Sequence, residues 1–141
     1  ADRDLVLCFI EFMKSTSIKD NEISKTHKIM NEISKNSAPA IMKLKYYFNR
    51  PRPYQVAERL GLDFEAMDSK TAHTPSYPSG HTIQSYLIAF KLSNMYPKYR
   101  NDFFSIAKRI SESRMIAGYH FKSDIEYGIT IFRFIVNSKE N

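Results

Sequence analysis

The chain has 141 residues, 43% of them hydrophobic and 26% charged, as is typical of one globular domain with its own core. The formal net charge of +6 favours an anionic partner, but the basic residues are spread along the chain and therefore do not favour nucleic acid. No window of 18 apolar residues occurs, so a transmembrane helix is not predicted, and the single Cys8 excludes an internal disulfide and is predicted to lie in the core.

The hydrophobic pattern is helical along the chain and predicts an all-α fold, a single domain over residues 1–141 with about six or seven helices. Seven segments carry apolar residues at helical spacing or the residues that cap helices, and they are Leu5–Lys14, Asp20–Ser34, Ala38–Phe48, Tyr54–Leu60, His81–Met95, Asn101–Ala117 and Phe121–Val136. Prolines and glycines separate several of them. The stretch Leu62–Tyr77 is predicted to be a long loop.

Three of the predicted helices carry one charged residue on an otherwise apolar stripe. These residues are Lys45, Arg114 and Asp124. A buried charge costs several kcal/mol unless it is paired, so a structural ion pair such as Asp124 with Arg114, or long side chains reaching solvent, would explain each residue singly. Together with Arg52 they bring more positive charge inward than one aspartate balances, which favours a bound anion such as phosphate.

The sequence Tyr77–Thr82, YPSGHT, precedes a predicted helix and has the residue types of an anion site. Ser79 is a candidate N-cap, Gly80 allows close backbone approach, and His81 can carry a proton. A helix N-terminus has N–H groups without partners in the helix and the positive end of the helix dipole, both of which attract anions. An ordinary loop-to-helix entry has the same residues, so this stretch by itself decides nothing.

His120 and Asp124 are separated by one helical turn, a spacing that lets a carboxylate hold one imidazole nitrogen and leave the other as a nucleophile. The same pair would also suit a helix-stabilising contact or half of a metal site. A metal site needs further ligands, and His27 and His73 do not stand at ligand-like spacing. We therefore expect no metal.

These motifs together resemble the superfamily of type-2 phosphatidic acid phosphatases, bacterial class A acid phosphatases and vanadium haloperoxidases. Its signature is Lys-x6-Arg-Pro, then Pro-Ser-Gly-His, then Ser-Arg-x5-His-x3-Asp. The chain reads KYYFNRPRP from Lys45, PSGH at Pro78–His81 and SRMIAGYHFKSD at Ser113–Asp124, so every signature position matches in order and spacing. The motifs look most like those of the class A acid phosphatases, although Phe121 stands where a tryptophan is expected.

The resemblance implies a metal-independent phosphatase that hydrolyses phosphate monoesters through a phosphohistidine. It implies that His120 attacks phosphorus, that Asp124 orients His120, and that His81 protonates the leaving alcohol and then helps to activate water. The residues implied to hold the phosphoryl oxygens are Lys45, Arg52, Ser79, Gly80 and Arg114. No cofactor is expected, vanadate is expected to inhibit, and two histidines with opposite duties predict a bell-shaped pH profile.

Four residues near the motifs have two possible roles each by sequence. Tyr77, Tyr119 and Phe121 flank the histidines and are candidates for a leaving-group pocket, or for packing around the motif loops. We interpret Arg50 as a solvated charge in preference to a fourth phosphate contact.

The resemblance leaves other functions to weigh. A vanadate-dependent haloperoxidase would use the same residues, a phosphatase could act on lipid or diphosphate substrates, and a basic module could bind phosphorylated ligands without turnover. We expect a small phosphorylated substrate, no nucleic acid and no membrane insertion. A homodimer is compatible with the sequence. Because no transmembrane helix is predicted, we expect a soluble protein. The N-terminal stretch lacks the basic region of a signal peptide, and the cytoplasm and the periplasm are both left open because a signal peptide could have been removed before Ala1.

Overall fold

A computed structural model describes residues 2–62 and 74–140 of the protein, with side chains described within 5–62 and 74–138. The described residues form six α-helices, which are α1 (Asp2–Lys14), α2 (Asp20–Phe48), α3 (Pro53–Arg59), α4 (Gly80–Met95), α5 (Arg100–Ile116) and α6 (Lys122–Glu140). A 3-10 turn, Pro97–Tyr99, joins α4 to α5, and no strand occurs in these two stretches. The predicted all-α fold is confirmed. Most of the predicted loop, residues 63–73 with His73, lies outside the described residues.

The boundary predicted between the second and third segments is wrong, because α2 runs without interruption through Pro39 for 29 residues. Its buried side chains form one stripe at helical spacing on both sides of the proline, and they are Ile23, Thr26, Met30, Ser34, Ile41 and Lys45. Proline removes one backbone donor from a helix, but packing along a continuous stripe outweighs that loss here. As a result, α2 extends from the apolar core to the part of the molecule that contains Lys45.

Helix α4 is the centre of the bundle and contacts α1, α2, α5 and α6. Its second half is apolar, and Ile88, Ala89 and Leu92 are fully buried there. They join a core cluster with residues of α1, α2 and α5, including Phe9 and Phe103. The predicted burial of Cys8 is wrong, because this residue lies on the exposed face of α1.

The first turn of α4 is tied closely to α6. The Ser79 hydroxyl accepts hydrogen bonds from the Thr82 backbone N–H at 3.3 Å and from the Thr82 hydroxyl, which confirms Ser79 as the N-cap. The Ser79 N–H donates to the Asp124 backbone oxygen at 3.0 Å. Gly128 of α6 lies so close that a Cβ there would stand 3.1 Å from both the Ser79 carbonyl oxygen and the Thr82 side chain. Helix α4, which contains His81, and helix α6, which follows His120, are therefore packed closely against each other.

Candidate active site

Three signature motifs meet around a cavity of about 120 Å³ between α2, α4 and the segments before α3 and α6. The side chains that line it and bear on chemistry are Lys45, Arg52, His81 and His120, with Gly80 at the start of α4. These five residues were all predicted for the site, and the fold brings them to one cavity although they lie far apart in sequence.

Lys45 and Arg52 supply the positive charge of the cavity, and both are almost completely buried. The Lys45 ammonium donates to the Pro75 backbone oxygen at 3.0 Å. The Arg52 guanidinium donates to the backbone oxygens of Thr74 and Tyr119 at 2.8 and 3.1 Å. Burial and the neighbouring Arg52 charge lower the pKa of Lys45 to about 7, while burial and Arg114 lower the pKa of Arg52 to about 10. Cations destabilised in this way would gain from binding an anion.

The hydrogen bonds of His120 define which of its nitrogens carries the proton. Arg52 Nη1 lies 3.0 Å from His120 Nε2, and Asp124 Oδ2 lies 3.3 Å from Nδ1. A guanidinium can only donate, so Nε2 must be the acceptor and Nδ1 must bear the hydrogen that Asp124 accepts. Burial lowers the pKa of His120 to about 4, although the hydrogen bond to Asp124 acts in the opposite direction and raises it. At neutral pH His120 is thus an uncharged imidazole with its Nε2 lone pair on the cavity side.

Asp124 is fully buried behind His120 and accepts hydrogen bonds on both carboxylate oxygens. Besides His120, Oδ2 accepts from the Phe121 backbone N–H at 2.7 Å, and Oδ1 accepts from Arg50 Nη1 at 2.9 Å. Burial alone would raise the pKa of Asp124, but the hydrogen bonds from His120 and Phe121 outweigh it and lower the pKa. Asp124 is therefore ionised at neutral pH, as required by the orienting role that the resemblance implies.

His81 lies in the first turn of α4, buried at the cavity wall. Burial and the positive charge of Arg114 lower its pKa to about 3. In the protein without an anion His81 is consequently neutral. A phosphoryl dianion beside it would act in the opposite direction and raise that pKa.

The remaining predicted phosphate ligands, Arg114 and Ser79, are not among the described residues that line the cavity. Arg114 is half-buried, its guanidinium lies 4.3 Å from the centre of the Tyr119 ring, and its charge acts on Lys45, Arg52 and His81. The Ser79 hydroxyl is already engaged as the N-cap acceptor of Thr82. Phosphate contacts by these two residues stay predictions.

Each of the three aromatic candidates lies close to an arginine of the site, Arg50 or Arg114. Tyr119 is buried against Arg114, and Arg50 lies 4.2 Å from the Tyr77 ring centre and 5.8 Å from that of Phe121. The Tyr77 ring also stacks on Tyr127 with 4.6 Å between centroids. None of the three lines the cavity within the part of the chain that the structure describes. These contacts agree with packing around the motif loops, and a leaving-group role stays a prediction.

Sequence reasoning missed two polar residues of the cavity wall, Thr74 and Gln84, and misread Arg50. Thr74 accepts from Arg52 Nη2 through its hydroxyl at 3.1 Å, and Gln84 lines the wall while donating to the Ser34 backbone oxygen at 3.1 Å. The polar Gln84, one turn after His81 in an apolar run, was the available signal. Arg50 is not a solvated charge, because it pairs with Asp124.

Comparison with known proteins identifies the family of the chain. Residues 31–137 match the PAP2 superfamily, so the chain belongs to that superfamily. It is 26% identical over 110 residues to a non-specific acid phosphatase of Providencia stuartii, which covers 77% of this chain and 44% of the relative. It is 33% identical over 90 residues to a non-specific acid phosphatase of Salmonella typhi, which covers 63% of this chain and 35% of the relative. The chain thus spans less than half the length of these relatives.

A structural comparison supports the fold. A transmembrane PAP2-type phosphatidylglycerolphosphate phosphatase from Bacillus subtilis aligns over 96% of this chain and 67% of its own, with a TM-score of 0.51 and 22% identity. That likeness concerns the fold alone. Within residues 2–62 and 74–140, no helix combines the length and the hydropathy needed to cross a bilayer. The same stretches hold no group of three or more His, Cys, Asp or Glu placed to bind a metal.

Proposed function

We propose that the protein is a metal-independent phosphatase that hydrolyses phosphate monoesters through a phosphohistidine at His120. Membership of the PAP2 superfamily and the acid phosphatase names of two relatives support this class of reaction. The observation that carries the proposal is His120 itself. Its Nδ1 is held by Asp124 and its Nε2 lone pair lies at a cavity lined by Lys45 and Arg52.

The phosphoryl group would be held by charge and by a helix end. Lys45 and Arg52 bring two buried cations to the cavity, and Arg114 adds a third charge close by. The α4 N-terminus at Gly80 presents backbone N–H groups, and a glycine there leaves room for close approach. Positive charge placed before the reaction stabilises the negative charge that spreads over the phosphoryl oxygens in the transition state.

In the first step the His120 Nε2 lone pair attacks phosphorus, the Nε2–P bond forms, and the bond from phosphorus to the ester oxygen breaks. Arg52 Nη1, which donates to Nε2, must shift its hydrogen bond to a phosphoryl oxygen for this attack. The imidazole becomes positively charged as the bond forms. The Asp124 carboxylate on Nδ1 stabilises that charge and keeps the ring in line.

His81 would donate the proton that the leaving alkoxide takes up. Its pKa of about 3 in the anion-free protein leaves it neutral, so this role depends on the bound dianion raising the pKa or on a proton brought by a substrate monoanion. In the second step neutral His81 removes a proton from water, the water oxygen attacks phosphorus, and the Nε2–P bond breaks. Inorganic phosphate leaves and His120 is restored.

The size of the cavity favours a substrate recognised mainly by its phosphoryl group. A volume of about 120 Å³ is well below the roughly 300–1,000 Å³ of pockets that enclose whole organic ligands. The leaving group would then lie outside the cavity formed by the described residues. We infer that turnover depends weakly on the identity of the alcohol.

Hydrolysis of para-nitrophenyl phosphate between about pH 4 and pH 8, with EDTA and no added metal, tests the proposal. His120→Ala is expected to lower kcat by about 10,000-fold. His27→Ala is the matched control, since His27 is exposed on α2 and far along the chain from the motifs. Turnover that EDTA abolishes, or that persists in the His120 variant, would contradict the proposal.

A further inference from the structure

The contacts of Arg50 with Ser123 and Asp124 suggest a role that its position in the sequence does not indicate. Arg50 Nη1 donates to Asp124 Oδ1 at 2.9 Å and to the Ser123 hydroxyl at 2.6 Å. Asp124 is fully buried, whereas the Arg50 side chain is 36% exposed. We propose that Arg50 is a positioning residue that holds the Asp124 carboxylate in the orientation that serves His120, an inference that rests on the proposed function.

The geometry of the carboxylate explains why a second anchor matters. His120 and the Phe121 N–H both bind Oδ2, so these two contacts alone would leave the other oxygen without the same restraint. Arg50 binds that other oxygen, Oδ1. With both oxygens held, the plane of the carboxylate and the direction of the Nδ1 hydrogen bond are fixed.

Arg50 is itself held from several directions. Its guanidinium stacks on the Tyr77 ring at 4.2 Å, Ser123 accepts from it, and its backbone oxygen accepts from the Ser76 N–H at 2.8 Å. A planar guanidinium can stack its face on an aromatic ring while the N–H groups at its edge donate to oxygens. This rigidity is what a side chain needs in order to position another.

The two arginines on either side of Pro51 therefore have different tasks. Arg52 lines the cavity and reaches His120 Nε2, the nitrogen proposed to attack phosphorus. Arg50 is not among the residues that line the cavity in the described part of the chain, and it reaches the carboxylate on the opposite side of the imidazole. Loss of Arg50 should accordingly impair the reaction step more than substrate binding.

Steady-state kinetics of Arg50→Ala separate these effects. We expect kcat for para-nitrophenyl phosphate to fall about 10- to 100-fold while KM changes less than about two-fold, because positioning partners behind a reactive group act in this range. Arg50→Lys should recover part of kcat, and added guanidinium ions should raise kcat of the alanine variant. Arg109→Ala, an exposed arginine of α5, is the matched control and should match the wild type with and without guanidinium.

Either of two kinetic results would overturn the proposal. A raised KM with unchanged kcat would make Arg50 a phosphate contact, and wild-type values for both constants would make it a surface stacking residue only. If the alanine variant does not fold, Arg50→Gln, which keeps a donor but loses the charge and the planar fork, replaces it in the same comparison.

Nitrogen NMR of His120 keeps this inference separate from the proposed function. The wild type should show His120 protonated at Nδ1. Arg50→Ala should keep this tautomer, because Arg52 still donates to Nε2, but its Nδ1–H signal should be weakened or shifted as the Asp124 carboxylate loses its anchor. This readout needs no turnover. An inactive wild type with a shifted His120 signal in the variant would refute the phosphatase and retain the positioning role, whereas an active wild type with an unchanged signal would do the reverse.

Discussion

The two halves of helix α4 lie in opposite surroundings. Its first half places Gly80, His81 and Gln84 at the cavity, among buried cations. Its second half buries Ile88 and Leu92 in the apolar core with α1, α2 and α5. The comparison shows that one helix contributes both to the wall of the candidate active site and to the packing of the apolar core.

The two surroundings have opposite effects on stability. Burying apolar side chains contributes about 25 cal/mol for each Å² removed from water. Burial lowers the pKa of both Lys45 and Arg52, helped by the charge of Arg52 on Lys45 and of Arg114 on Arg52, which means that their charged forms are disfavoured in the folded state. The apolar half therefore offsets a cost that arises at the cavity, and variants in the two halves should behave differently.

The largest expected effect is on catalysis at the cavity. Asp124→Asn keeps the shape of the side chain but removes the negative charge that, in the proposed mechanism, orients His120 and stabilises its imidazolium. We expect kcat to fall about 10,000-fold. The matched control is Asp102→Asn on the exposed face of α5, which should leave kcat unchanged. A loss below about ten-fold for Asp124→Asn would mean that the carboxylate does not orient the nucleophile.

The next effect is on stability in the apolar half. Phe103 is fully buried, so Phe103→Ala should lower the free energy of unfolding by about 3–5 kcal/mol in urea denaturation. Its kcat per folded molecule should stay within about two-fold of wild type, since distant sites are close to additive. Phe134→Ala, at a side chain 71% exposed, is the control and should change stability by less than about 0.5 kcal/mol. A large fall in kcat for Phe103→Ala would contradict the separation of the two halves.

A smaller effect is expected where function and stability oppose each other. Lys45→Met removes a buried charge and keeps an apolar chain of similar length. We expect turnover to be lost and the free energy of unfolding near pH 6 to rise by about 1–4 kcal/mol. Lys43→Met on the exposed side of α2 should leave turnover unchanged. If Lys45→Met instead lowers the free energy of unfolding, the buried ammonium stabilises the fold, and the proposed opposition between function and stability at this residue is wrong.

The smallest effect is a shift in the pH profile. His120, with a pKa of about 4, loses its nucleophilic lone pair as the pH falls through that value, and Lys45, with a pKa of about 7, loses its charge as the pH rises through that value. We therefore expect kcat/KM of the wild type to decrease below about pH 4 and above about pH 7.

Arg in place of Lys45 tests the alkaline side of this profile. A guanidinium keeps its charge over this range, so Lys45→Arg should move the alkaline decrease upward by more than about one pH unit. Wild type and variant are compared on the same substrate, so ionisation of the substrate contributes equally to both. An unmoved alkaline decrease would assign it to a group other than Lys45.

Much of this arrangement follows from the sequence by simple reasoning. A charge on an apolar helical stripe has few explanations, and Lys45 and Asp124 are buried as their stripes predicted. The origin of the pH profile was harder to predict, because burial depresses both histidine pKa values and leaves the alkaline side to Lys45. Burial depends on tertiary packing that periodicity does not contain.

Two further features could not be read from local sequence. The sequence predicted two helices, Asp20–Ser34 and Ala38–Phe48, yet α2 is one helix because its buried stripe continues on both sides of Pro39. Arg50 and Arg52 flank one proline and look alike in sequence. Their contacts lie 74 and 68 residues away along the chain, at Asp124 and His120, and only the fold distinguishes them.

Gly128 limits how this pair of helices can change during evolution. One of the two groups that a side chain at this position would meet is the Thr82 side chain, whose Cβ and Cγ2 atoms both stand at 3.1 Å, so serine or alanine at position 82 would remove only the Cγ2 contact. The other is the Ser79 carbonyl oxygen, which belongs to the backbone and is present whatever residue occupies position 79. No compensating substitution removes it. A side chain at position 128 therefore requires the start of α4 and α6 to move apart by a few tenths of an ångström, so glycine should be enriched at this position among functional variants selected from a random library, even when its side-chain neighbours vary.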